Sequence, residues 1–144
     1  MLVSIKRLDK SLPLPQYHTT GSAAFDLSAK IETVILPKQL ARIPSGLIIG
    51  TPHGYVLTLA ARSSLAAKKG LMLANGIGTI DSDYCGPEDE ILISVYNFTD
   101  QTVTVEKGER IAQGMFLKVE QGEWREVDEI TEKSRGGFGS TGDK

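Results

Sequence analysis

One cysteine, two histidines and a formal net charge of −2 set the first limits on this 144-residue chain. Cys85 alone cannot close an intramolecular disulfide, and two histidines beside it cannot make a soft-metal cluster, so the composition fits a reducing compartment. Sixteen Lys and Arg against eighteen Asp and Glu leave no overall field to hold a phosphodiester backbone; nucleic acid is not the expected partner. Long apolar runs are missing too. Lys6, Arg7 and Asp9 interrupt the first ten residues, and no stretch approaches the ~20 apolar residues of a membrane span. No membrane association is expected, and the expected location is cytoplasmic; a leader removed before Met1 would leave no trace here.

What remains is an ordinary globular composition, 40% hydrophobic and 24% charged, at the length of one domain. Apolar alternation recurs in short pieces over residues 2–8, 31–36, 55–60, 91–96, 102–105 and 115–119. Proline and glycine at Pro13, Pro15, Gly21, Pro37, Pro44, Gly46, Pro52, Gly54, Pro87 and Gly108 punctuate them. The expectation is an all-β domain over 1–130, built as a sandwich, jelly roll or barrel. One short helix is expected from Ser63 to Gly70, with a capping serine, lysines in its last turn and a terminating glycine. Residues 131–144 hold four glycines and one bulky apolar residue, Phe138, and read as a flexible tail.

Three segments could carry chemistry. Ala61-Arg62-Ser63-Ser64-Leu65 runs from a strand end into the helix; its amides, two hydroxyls and the Arg62 fork suit an anion, and equally an ordinary cap with a surface arginine. Asn75 to Gly86 reads as a glycine-flanked hairpin with two carboxylates and an aromatic. Its backbone edge could imitate a base-pairing partner while Asp81 or Asp83 activates water, or its acids could be merely solvated. The tail segment Ser134 to Gly142 has glycines and hydroxyls suited to phosphate but lacks the Gly-Lys-Ser/Thr ending of a P-loop, and Phe138 suits a flat apolar ligand. Asp26 could hold a metal through its outer shell and Gln113 could donate to phosphate, or each could satisfy buried backbone. His18 and His53 sit among turn residues and are read as inert, Cys85 as packing.

Taken in order, Ala24-Phe25-Asp26-Leu27-Ser28-Ala29, Ala61 to Ala66, Asn75 to Gly86, Arg110-Ile111-Ala112-Gln113 and Gly137 to Gly142 resemble the five motifs of the homotrimeric dUTPase family. The resemblance implies a β jelly-roll barrel subunit, a threefold homotrimer with active sites shared between chains, and Mg2+-assisted hydrolysis of dUTP to dUMP and pyrophosphate. That reaction limits uracil incorporation into DNA and supplies dUMP for thymidylate synthesis. Residue by residue, Asp81 looks like the group that activates the water attacking the α-phosphorus. Asn75, Gly78 and Ile80 are similar to the uracil-reading segment, and Tyr84 to the ring beneath the deoxyribose that excludes a 2′-hydroxyl. Arg62, Ser63, Ser64 and Gln113 resemble phosphate contacts, and Asp26 the carboxylate that holds magnesium through water. Phe138 and Gly139 would cover the uracil and Ser140 and Thr141 approach the outer phosphates, the arm 131–144 closing a neighbouring chain's site.

Three departures stand out. Counting back from Phe138 puts Lys133 where the family has arginine, with Arg135 two residues nearer, so either could meet the γ-phosphate. Pro87-Glu88-Asp89-Glu90 lengthens the segment before the next strand. Ala61 stands where glycine or proline is common. Two rival readings are a dCTP deaminase, whose catalytic glutamate would fall at Ser94, and a binding protein that keeps the scaffold without turnover.

Overall fold

The structure, a computed structural model, describes residues 1–136. Eleven strands and one helix follow in the order β1 (Ser4–Arg7), β2 (Phe25–Ser28), β3 (Thr33–Ile35), β4 (Leu40–Pro44), β5 (Leu47–Gly50), β6 (Tyr55–Ala61), α1 (Leu65–Lys69), β7 (Leu71–Leu73), β8 (Gly78–Ile80), β9 (Leu92–Asn97), β10 (Val103–Val105) and β11 (Arg110–Lys118). All pairing is antiparallel. The strands form a four-stranded sheet β2-β11-β6-β8, a three-stranded sheet β4-β9-β7 and two-stranded ladders β1-β5 and β10-β3. The all-β expectation holds; no sheet closes on itself among the described residues, so a closed barrel is not seen. No helix of the described residues is long and apolar enough to cross a membrane.

Alternation puts one face of each longer strand inside. Leu57 and Leu59 of β6 and Ile93 and Val95 of β9 are buried, together with Leu27, Ile43, Ile111 and Leu71. Asn97 ends β9 fully buried. Its Nδ2 donates toward the carbonyls of Ile35, Leu36 and Gln101 at 2.7–3.2 Å, while its Oδ1 accepts from the backbone and hydroxyl of Thr99. The side chain thereby satisfies several carbonyls and amides where short strands end away from water.

The helix is shorter than its sequence signals suggest. Ser64 is the N-cap residue but its hydroxyl makes no capping bond, contrary to the expected capping serine, and its backbone is αR rather than extended. Gly70 ends the helix at φ 64°, and a Cβ there would lie 2.0 Å from the Thr99 methyl, so both dihedral and space demand glycine. Beyond β11, residues 119–136 form no strand or helix. Trp124 on this segment is fully exposed.

Candidate active site

Strand register assembles the first cluster. Asp26 on β2 lies opposite Gln113 on β11, which lies opposite Ala60 on β6, so three segments meet along one row of the large sheet. A register shift between Arg110 and Ala112 buries both Ile111 and Ala112 and turns Arg110 out toward Asp26. The Asp26 carboxylate, 11% exposed, is ion-paired to Arg62 Nε at 3.0 Å through one oxygen and accepts from Arg110 Nη1 at 3.0 Å on the other. His18 Nε2 lies 3.1 Å from the same Asp26 oxygen and 2.8 Å from Arg110 Nη1. That nitrogen serves one neighbour at a time: bare, it accepts from Arg110; protonated, it donates to Asp26. Gln113 Nε2 donates to the Ala61 carbonyl at 3.3 Å, so at this residue the backbone-satisfying role is present. Ser63 is exposed and Ser64 half-buried, beside Arg62 in sequence.

The second cluster lies between the sheets. Residues Asn75, Gly78 and Ile80 share a small cleft with Leu59, Leu73 and Ser94. The segment departs from the expected hairpin: within Asn75 to Gly86 only β8 is a strand, and it pairs with β6 rather than with a partner inside the segment. β7, just before it, pairs with β9, so residues 74–77 carry the chain from one sheet to the other. At Gly78 a Cβ would approach Leu59 Cβ to 3.0 Å, so glycine lets β8 press against β6 at the floor of this cleft.

Asp81 follows β8 directly and lines a third, polar and more open cleft with His53, Tyr55, Val56 and Asp83. Its side chain is exposed and its carbonyl accepts from the Tyr84 amide at 3.2 Å. Tyr84 is 40% exposed, its hydroxyl donating to the Glu90 carbonyl at 3.3 Å. Lys133 and Arg135 are exposed on the segment after β11 and line none of these clefts. Phe138, Gly139, Ser140 and Thr141 lie outside the described residues.

A model of the dUTPase family matches residues 10–142, a span that contains every one of these clusters. The chain belongs to the dUTPase family. It is 48% identical over 145 residues to a deoxyuridine 5′-triphosphate nucleotidohydrolase of Desulfitobacterium hafniense, covering 97% of this chain and 94% of the relative. It is 42% identical to the enzyme of that name from Dictyoglomus turgidum, with 97% of each chain covered. Among solved structures it is similar to a dUTPase from Streptococcus mutans, at a TM-score of 0.76 and 35% identity over 83% of this chain and 98% of that one. It is also similar to a Staphylococcus bacteriophage 80alpha dUTPase solved with dUPNHPP, at a TM-score of 0.86 and 26% identity over 98% of both.

Within this dUTPase-family chain the clusters are far apart. β8 pairs Leu59 with Gly78 and Leu57 with Ile80, which sets Asp81 beside Val56, whereas Arg62 follows the opposite end of β6. Six residues of strand at ~3.3 Å each separate them by roughly 20 Å. Sequence reading missed His18, which it left inert: nothing local marks a histidine eight residues before Asp26, and only the return of β11 brings Arg110 to both. A magnesium ion fits the Asp26 cluster by its chemistry. Mg2+ is commonly held by one or two carboxylates plus substrate phosphates and keeps its waters. A carboxylate offers about four lone-pair sites, and the contacts to Arg62, Arg110 and His18 take three at most. Among the described residues no group of three or more Asp, Glu, His or Cys could make a cage of protein ligands alone.

Proposed function

We propose that this chain hydrolyses dUTP to dUMP and pyrophosphate by attack of water on the α-phosphorus. The carrying observation is the order of groups along β8: Gly78 and Ile80 line one cleft and Asp81 follows at once in the next. A uracil held by Asn75 and the Gly78 and Ile80 backbone would bring its own α-phosphate toward that carboxylate. Asp81 takes a proton from the attacking water, the P–O bond to the β-phosphate breaks, and pyrophosphate leaves. A positioned base contributes about 10²–10⁴-fold; the rest comes from holding the triphosphate in line and neutralising its charge. Arg62, Ser63, Ser64 and Gln113 are the phosphate contacts on this reading, and Tyr84 stacks beneath the deoxyribose and sterically rejects a 2′-hydroxyl.

Asp26 would hold Mg2+ through water, where the ion neutralises phosphate charge. The body 1–130 forms the catalytic domain and 131–144 an arm that brings Lys133 or Arg135 to the γ-phosphate, Phe138 and Gly139 over the uracil, and Ser140 and Thr141 to the outer phosphates, excluding water. The site is assembled between chains of a homotrimer, in the cytoplasm. The distance along β6 supports this, since Asp81 and Arg62 of one chain cannot serve one triphosphate. Leu40, Met72 and Leu92, exposed on the outer face of the three-stranded sheet, supply an apolar surface for the neighbour.

The deaminase reading is disfavoured by Ser94, a residue lining the cleft of Gly78 and Ile80 that has no carboxylate where that chemistry needs one. Pyrophosphate and ammonia release from dUTP, dCTP, dTTP and UTP with magnesium tests the proposal. Pyrophosphate from dUTP alone is expected. Ammonia from dCTP would move the chain to deamination, and silence on all four would favour a binding role.

A further inference from the structure

The lengthened segment Pro87-Glu88-Asp89-Glu90 before β9 ends in an anchored residue. Gly86 N–H donates to Asp89 Oδ2 at 2.6 Å, and Asp89 N–H to the Gly86 carbonyl at 3.2 Å. The resulting one-turn loop returns the chain so that the Glu90 carbonyl accepts the Tyr84 hydroxyl at 3.3 Å. Glu90 is itself held from three sides. Its Oε2 meets Lys30 Nζ at 2.7 Å, its Oε1 accepts the Gly46 N–H at 2.7 Å, and Ile91 next to it exchanges backbone bonds with Leu47 and Ser45. Lys30 is fixed in turn, its amide donating to Pro44 and its stem packed where Gly46, at φ 74°, has no side chain. The two charged side chains are only 24% and 18% exposed, so water screens this pair less than a surface one.

We infer that the Lys30–Glu90 ion pair is a positioning device for Tyr84 and so sets discrimination against ribonucleotides. The inference rests on the proposed site, in which the Tyr84 ring bars the 2′-hydroxyl. Steric rejection of one added hydroxyl works only if the wall does not yield. Tyr84 stands on an exposed loop whose own backbone bonds, Tyr84 N–H to Asp81 and Cys85 N–H to Asp83, leave the ring free to swing. The Glu90 carbonyl is what its hydroxyl finds outside that loop. Lys30 and Glu90 touch no substrate on this reading.

The test compares kcat/KM for dUTP and UTP in the wild type, K30M, E90Q, Y84F, K30R and the K30M/Y84F double variant. K30M and Y84F are each expected to lower the dUTP-over-UTP ratio by about tenfold, within the range that one group's steric fit is worth. The double variant is expected to fall no further than the larger single effect, and K30R to restore the ratio. E90Q keeps an oxygen for the Gly46 amide and reads the same effect should K30M fold poorly. A ratio unmoved in K30M and E90Q, or a loss shared equally by both nucleotides, would overturn the inference while leaving dUTP hydrolysis intact. A wild type silent on dUTP would instead overturn the functional reading itself, and this inference with it.

Discussion

Mixed assemblies of two inactive variants give the sharpest handle on a site divided between chains. D81N removes the proposed base and R62A a proposed phosphate contact. The Asp81 side chain is exposed and, among the described residues, makes no hydrogen bond or ion pair, so D81N should change stability by less than about 0.5 kcal/mol. Its expected loss in kcat is about 10²–10⁴-fold, or ~3–5 kcal/mol of barrier. KM should hold or fall, because a negative charge has been taken from beside a polyanion. R62A should raise KM by about 10–100-fold, the worth of a charge-assisted contact of ~1.5–3 kcal/mol. With roughly 20 Å of β6 between the two positions, neither variant can be rescued within its own chain.

In a threefold ring each site would take Asp81 from one chain and Arg62 from the next. Any trimer containing both variants, in either ratio, then has one site with both groups intact, so about one third of wild-type turnover returns. The variants carry different affinity tags and are refolded together, and assemblies holding both tags are isolated before pyrophosphate release is measured. Mixed assemblies no more active than the single variants would refute division of the site between chains. Failure of the two tags to co-purify would refute the assembly.

Four further outcomes follow from named contacts. N97D turns a buried two-hydrogen donor into an acceptor facing three carbonyls, and should cost ~3–5 kcal/mol in urea unfolding, a large part of a domain's usual margin. G78A drives a methyl against Leu59 at the floor of the base cleft and should cost ~1–3 kcal/mol in stability while raising KM for dUTP more than it lowers kcat. The Asp9 carboxyl is held well below its ordinary value by the Lys107 ammonium and then by Ser11; a carboxyl so lowered stabilises the fold above the ordinary carboxylate range and loses that contribution as pH falls through its folded value. The melting-temperature gap between wild type and D9N should therefore be present at neutral pH and shrink in acid. Removing residues 133–144 should depress turnover of dUTP far more than it shifts thermal unfolding, and a fully active truncation would sink the closing arm.

Much of the fold was legible because alternation survives wherever a strand has one buried face. β6 and β9 were readable from Leu57, Leu59, Ile93 and Val95. β5 was not: Leu47, Ile48 and Ile49 are all buried, so the run carries no period of two. β7 and β8, at three residues each, are too short to show one. The segments that carry the candidate site were legible as motifs, yet their joining was not. Asp26 meets Arg110 across 84 residues through the β2–β11 register, and no local pattern reports a register. The hairpin reading failed for a related reason. Glycines flank Asn75 to Gly86, but its one strand, β8, finds its partner in β6 outside the segment, and no local turn signal reports that pairing.

The Asp26 cluster also bears on why the proposed phosphate contacts would sit on a sheet end and not on a loop. Two guanidinium groups share one nearly buried carboxylate, leaving the group one positive charge in excess when His18 is neutral. Without Asp26, Arg62 and Arg110 would repel each other. With it, both are oriented before any triphosphate arrives, and orientation fixed by folding need not be supplied at the moment of reaction. A triphosphate offers more negative charge than one carboxylate, so the arginines have reason to turn part of their donor set toward it without leaving Asp26. D26N keeps the shape and one acceptor oxygen but removes the charge. On this reading it weakens binding of the non-hydrolysable analogue dUPNHPP even without magnesium, whereas a carboxylate that served only the metal would leave metal-free binding unchanged.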